Sequence, residues 1–201
     1  MHSLGKILFG AEKADHGTVL VNDTEIKDEH TAMEAGMAYA AKDRDTESLS
    51  LNSSIQDNIA IAGMDRYALA GFIICNSRER AYADRLIEEL SVKCFDRSQR
   101  VSQLSGGNKQ KVVFGKWIGR GSDVLILDCP TRGVDIGVKH AMYRLIEKLK
   151  KDGKSIIMIS EELPELIGMS DRILIMKDGR IEKEYTRSPD LSEADLIQSM
   201  I

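Results

Sequence analysis

The apolar positions of this chain fall into two kinds of spacing. Residues 124–127 (VLIL) read as a buried strand, and residues 155–160 (SIIMIS) as a second apolar strand. Between them Val138, Ala141, Met142, Leu145, Ile146 and Leu149 recur at helical spacing, and Gly153 stops that helix. Pro164 fits the first turn of a further helix. Residues 172–176 and 180–185 then flank Asp178 and Gly179, a strong hairpin signal. Upstream, residues 18–21 and 24–26 flank the turn pair Asn22 and Asp23, giving another hairpin. A short helix over 31–36, a strand over 37–40, a polar loop over 42–50 and a helix start at 54–59 follow. Residues 79–92 are amphipathic through Tyr82, Leu86 and Leu90 with Ala83 and Ile87. After a loop at 104–107, a helix runs through Val112, Val113, Trp117 and Ile118 and ends near Gly119 and Gly121.

Strand, helix, strand, helix in the C-terminal part implies a parallel sheet, and the two hairpins add an antiparallel part. Residues 55–121 read as a mainly helical subdomain; 1–54 and 122–201 read as the α/β core of the same domain. The 201 residues suffice for one domain with a proper core. With 42% hydrophobic and 30% charged residues the composition is that of a globular protein, and a net charge of -4 offers no basic excess for nucleic acid. Apolar runs are strand-sized, short of the ~20 residues that span a bilayer, and the opening segment is a poor signal peptide. A cytosolic setting is expected, and Cys75, Cys94 and Cys129 read as reduced thiols. His2, His16, His30 and His140 show no ligand spacing and read as solvated surface residues.

Two stretches carry chemistry. In LSGGNKQK, residues 104–111, a serine and two glycines open a helix whose free N–H groups form an anion site. Alone, the stretch reads equally as an ordinary N-capped helix. It is followed by LILDCPTRGVD, residues 125–135: an apolar strand ending in Asp128, then Cys129, a proline and a tight turn ending in Asp135.

In this order and spacing the motifs resemble those of the ATP-binding cassette (ABC) ATPases. LSGGNKQK is similar to the signature, VLILD to Walker B and RGVD to the D-loop. PTRGVDIGVKHAMYRLI, SEELPELIGMSDRILIMKDGR and KDRD resemble the second cassette of the tandem-cassette importers of ribose, galactose and xylose, and the likeness covers essentially the whole chain. The resemblance implies a P-loop NTPase-like α/β cassette, with ATP and Mg2+ shared between two cassettes closing head to tail. Ser105, Gly106 and Gly107 would contact the γ-phosphate held in the partner's P-loop, with Asn108 and Gln110 supporting that loop. Asp128 would hold the magnesium water shell of the chain's own half, and Asp135 would couple the two sites; read alone, Asp135 is a turn carboxylate. The implied partners are a second cassette, a membrane permease and, indirectly, a sugar-binding protein. The implied location is the inner face of the cell membrane.

Departures from the family pattern cluster on one side. No P-loop is found: Lys148 stands where Gly153-Lys154-Ser155 needs its first glycine, Gly115-Lys116 lies inside a helix, and Gly5-Lys6 has almost no chain before it. Set against the family, the opening segment resembles the helix after the P-loop. Met1, His2 and Ser3 then fall at the P-loop's last positions, so the P-loop and the strand before it are expected to be missing and the sheet to be marginally stable or covered. Cys129 stands at the hydrolytic glutamate position, and a redox-sensing thiolate is the less favoured reading of it. Glu161 stands at the switch-histidine position. Lys42 stands where a glutamine or glutamate is expected, and read alone is a solvated loop lysine. The expected function is therefore the signature half of a composite site in a sugar-importer ATPase, hydrolytically impaired alone. The alternative is a non-catalytic interaction or regulatory protein, or a gene remnant, on an ABC skeleton.

Overall fold

The computed structural model describes residues 2–69 and 73–200. In chain order come α1 (His2–Leu8), β1 (Leu20–Val21), β2 (Thr24–Glu25), α2 (Glu29–Glu34), β3 (Met37–Ala40), α3 (Ile55–Ala60), α4 (Met64–Tyr67) and α5 (Asn76–Glu89). Then follow α6 (Gly106–Arg120), β4 (Val124–Asp128), α7 (Ile136–Lys151), β5 (Ser155–Ile159), α8 (Leu163–Met169), β6 (Arg172–Lys177), β7 (Arg180–Thr186) and α9 (Glu193–Gln198). A single π-helical turn, Arg44–Ser48, lies between β3 and α3.

Strands β3, β4 and β5 form a parallel sheet in that order, while β1–β2 and β6–β7 are antiparallel hairpins. Parallel neighbours need long crossovers. Helix α7 makes the one from β4 to β5, and the helices α3 to α6 make the one from β3 to β4. The register pairs Ala40 with Leu127 and Asp128 with Ile159. The residues just past these pairs, 41–42, 129 and 160–161, therefore emerge along one edge, where open α/β sheets place their sites.

Met37 through Ala40 are all buried, as are Leu125, Ile126 and Leu127. Helix α7 turns Met142, Ile146 and Leu149 inward, as its stripe implies. Helix α1 packs flat on the sheet because Gly5 has no side chain: a Cβ there would stand 3.0 Å from Ile159 Cδ1 and 3.2 Å from Tyr39 Cε2. Helix α6 buries Val112, Val113, Phe114 and Trp117 and stops at Gly121, whose φ of 82° is left-handed.

Strand β5 differs from β4 although both are apolar. Ser155 and Ile157 are exposed, and Ile159 is the buried residue of the strand. The cause is position: among the described residues no strand pairs with the outer edge of β5. That edge borders a groove of about 870 Å³ lined by Ile156, Ile157, Leu174, Met176 and Ile181. Beyond it the hairpin β6–β7 has a small core of its own, Ile173, Ile175 and Leu196. Among the described residues no helix is long and apolar enough to cross a membrane.

Candidate functional site

At the start of α6, Ser105 occupies the N-cap with extended backbone, yet its hydroxyl does not cap. The Oγ accepts instead from Asn108 Nδ2 at 2.9 Å, and Asn108 Oδ1 accepts from the Lys93 amide at 2.8 Å. The first N–H groups of a helix have no partner within it. Because the capping hydroxyl is turned away, those of Gly106, Gly107 and Asn108 stay available for an outside acceptor, with the helix dipole favouring an anion.

The π-helical turn braces this end. Arg44 Nη1 donates to Arg132 O at 3.0 Å and to Gln110 Oε1 at 3.3 Å, and Lys109 Nζ pairs with Asp45 at 2.8 Å. Gln110 is buried. Lys116 Nζ donates to Ser48 O at 2.8 Å, and burial pushes its pKa down to about 8. The glycines have steric reasons as well: a Cβ on Gly106 would meet Arg44 Nη2 at 2.9 Å, and one on Gly107 would meet Val138 Cγ2 at 2.5 Å. Asp135 is exposed and caps α7, accepting from the Val138 amide at 3.0 Å. Within the chain, the contact Asp135 makes is that of a helix N-cap.

At the end of β4, Asp128 is 1% exposed. Its oxygens lie 2.8 and 3.0 Å from His2 Nδ1, and Tyr39 Oη donates to Oδ2 at 3.3 Å. Lys42 Nζ reaches His2 Nε2 at 2.7 Å and Glu161 Oε1 at 2.6 Å. An ammonium can only donate, so Nε2 accepts and the ring proton sits on Nδ1, aimed at Asp128. The hydrogen bond from Lys42 holds the Glu161 carboxyl below its usual pKa. Cys129 has a left-handed φ of 50°, and burial, followed by the Asp128 charge, pushes its thiol up to about 11. At that value the thiol is mainly protonated at neutral pH.

His2 and Lys42 therefore depart from their sequence reading as solvated side chains. The register of β3, β4 and β5 and the close seat of α1 bring both to Asp128, a convergence invisible in linear spacing. Arg44 was also missed, for the same reason. So was the buried Glu165, which accepts from Thr131 Oγ1 and Ser160 Oγ and ties together the loops after β4 and β5.

Mg2+ asks for hard oxygen donors in octahedral array. Asp128 qualifies, but His2 Nδ1 engages both its oxygens, and its neighbour is the soft sulfur of Cys129. This donor set does not fit Mg2+.

Comparison with known proteins matches residues 3–132 to the family model described as "ABC transporter". The chain is 42% identical over 181 residues to the ribose import ATP-binding protein RbsA of Bacillus subtilis (strain 168), covering 89% of this chain and 36% of that protein. It is 42% identical over 199 residues to the ribose import ATP-binding protein RbsA 2 of Mesorhizobium japonicum, covering 97% and 38%. The chain thus spans little more than a third of the length of these relatives. Among solved structures, the dimeric post-hydrolysis ATP-binding cassette MJ0796 bound to ADP and Pi superposes with a TM-score of 0.77 at 17% identity, over 92% of this chain and 79% of that one. The ADP conformation of the cassette MJ1267 gives 0.77 at 19% identity, over 98% and 81%. At such identities these two likenesses establish the fold, an α/β P-loop NTPase cassette.

Proposed function

The chain belongs to the ABC transporter family, and we propose that it serves as an ATP-binding cassette of a monosaccharide importer by lending its Ser105–Gly107 face to nucleotide held in a partner cassette. The observation that carries this reading is the start of α6: no side chain caps its first N–H groups, while Arg44, Gln110 and Asn108 fix the loop. The Gly106 and Asn108 amides would donate to phosphate oxygens, the Ser105 hydroxyl would add a donor, and the Arg44 guanidinium would hold positive potential beside Gly106. Asp135, at the same surface, would carry closure from one site to the other. Residues 55–121 would move with this face as a helical subdomain against the remaining α/β core.

The other end supports the second half of the proposal, that the chain hydrolyses little ATP alone. Cys129 supplies no base, and the absence of a positioned base costs on the order of 10²–10⁴ in rate. His2 and Lys42 fill the space before Asp128. The relatives named for ribose import supply the substrate class. A second cassette, a permease against the inner face of the membrane and a sugar-binding protein are the partners this role needs.

The test mixes the chain with an intact partner cassette and follows phosphate release. The expected result is stimulation that Ser105→Arg abolishes. Turnover by the pure chain that disappears in Asp128→Ala would overturn the proposal. If Ser105→Arg leaves stimulation intact, the chain is a non-catalytic interaction protein on the same skeleton.

A further inference from the structure

We infer that His2, Asp128 and Cys129 form a site for a borderline transition-metal ion of the Zn2+ class, in place of the hard Mg2+ that Asp128 alone would suggest. His2 Nδ1, an Asp128 oxygen and Cys129 Sγ lie within 4.8 Å of one another. One nitrogen, one carboxylate oxygen and one sulfur is a donor set that zinc takes and magnesium refuses. Tetrahedral bonds of about 2.0–2.3 Å separate such donors by roughly 3.3–3.6 Å. The His2 to Asp128 distance of 2.8 Å therefore has to open by roughly half an ångström or more, while Cys129 Sγ, within 4.8 Å of both donors, closes onto the same ion.

The site also has a reason to take a cation. The Asp128 side chain is fully buried, and its partners are an imidazole and the Tyr39 hydroxyl. Among the described residues no lysine or arginine forms an ion pair with it. A buried carboxylate facing only dipoles is costly, and a bound dication neutralises it together with the Cys129 thiolate. The thiol gives up one proton to water as the metal binds. On His2, Nδ1 becomes the ligand and the ring proton moves to Nε2; the Lys42 ammonium, 2.7 Å from Nε2 in the metal-free chain, then has to draw back so that Glu161 Oε1, at 3.3 Å, accepts that proton. A carboxylate behind a metal-bound histidine fixes the ring and strengthens the ligand. Lys42 keeps its pairing with Glu161 at 2.6 Å. Three protein donors leave a fourth tetrahedral position for water or an incoming anion.

This inference concerns the chain's own donors and goes beyond the signature-face reading; it is tested on the chain alone, so its failure leaves that reading untouched. Co2+ is the probe, because thiolate ligation gives a charge-transfer band and tetrahedral geometry gives intense visible bands. Titration of the full chain should saturate at one cobalt, and Mg2+ at about a hundredfold excess should not displace it. Cys129→Ser should lose the charge-transfer band, His2→Ala should weaken binding by more than tenfold, and Glu161→Ala by about tenfold. The double variant Cys75→Ser/Cys94→Ser should keep the wild-type spectrum. Circular dichroism checks that each variant folds, and X-ray absorption of the unmutated chain should show one sulfur in the cobalt shell. A thiolate band surviving Cys129→Ser, an octahedral spectrum, a shell without sulfur, or displacement by Mg2+ would each overturn the inference.

Discussion

The start of α6 and the end of β4 are both polar ends of well-packed elements, and they differ in where their polar groups point. At α6 the inward contacts satisfy side chains: Asn108 holds Ser105 and Lys93, and Arg44 holds Gln110 and the Arg132 carbonyl. The backbone donors are left without a side-chain cap. At β4 the arrangement is reversed. Asp128, the group a ligand would need, is turned in upon His2 and Tyr39, and Lys42 and Glu161 close over it. One end is prepared for something brought by another molecule; the other is occupied by the chain itself. The contrast rests on which atoms are left free, and residue types alone do not reveal it.

The largest effect that would break this contrast is the loss of partner stimulation in Ser105→Arg. A bulky cation in the loop blocks close approach of a second cassette, and the expected fall is to the unstimulated rate, on the order of 10²-fold or more. Glu182→Gln, on the exposed strand β7, should leave stimulation unchanged.

Thiol chemistry probes the other end. Cys75 is lowered from the usual thiol value by a hydrogen bond with Ser77 Oγ, whereas burial and Asp128 push Cys129 up to about 11. Alkylation follows the thiolate, so at pH 8 Cys75 should react about a hundredfold faster than Cys129. The Cys129 rate should rise tenfold per pH unit and level off near pH 11, since its thiol ionises only there. Mass spectrometry of iodoacetamide-treated chain reads both rates. A Cys129 that reacts as fast as Cys75 would mean an ionised thiol at neutral pH, and the redox-sensing reading of that residue would return.

Gly107 separates packing from ligand binding. Its missing Cβ is required by Val138 at 2.5 Å, so Gly107→Ala should cost about 1–3 kcal/mol in urea unfolding. Truncating the neighbour as well, in Gly107→Ala with Val138→Ala, should recover part of the loss, a coupling expected of residues in contact. Additive costs would show that the close approach of α6 to α7 is not what the glycine serves.

The elements were legible where periodicity and punctuation agreed. The stripe from Val138 to Leu149 ended at Gly153, and the turns at Asn22-Asp23 and Asp178-Gly179 marked hairpins, because these signals are local. Ser105, Gly106, Gly107, Asp128 and Asp135 could be singled out from the sequence because each lies in a short local motif. The contacts of His2, Lys42, Arg44 and Glu165 could not. Each has a partner distant in sequence, at separations of 126 residues for His2 to Asp128, 88 for Arg44 to Arg132 and 34 for Thr131 to Glu165. Only the strand register makes them neighbours. Strand β5 shows the converse: its composition matches a buried strand, but sheet position decides burial, and no one-dimensional pattern encodes which strand lies at an edge.

Asn108 gives the smallest and most discriminating effect. Its side chain makes two hydrogen bonds, to Ser105 Oγ and from the Lys93 amide, and both lie near the surface. Asn108→Ala should therefore cost only about 0.5–1.5 kcal/mol of stability. The freed Ser105 hydroxyl can then turn to cap α6, which would claim one of the N–H groups that the wild-type geometry leaves open. Stimulation of a partner cassette should fall by about tenfold, equivalent to ~1.4 kcal/mol, even where the fold is barely weakened. Asn108→Asp should fail similarly, since a carboxylate cannot donate to Ser105 and brings negative charge to an anion site. If both variants stimulate as well as wild type, the orientation of Ser105 is incidental, and the two ends differ only in what occupies the end of β4.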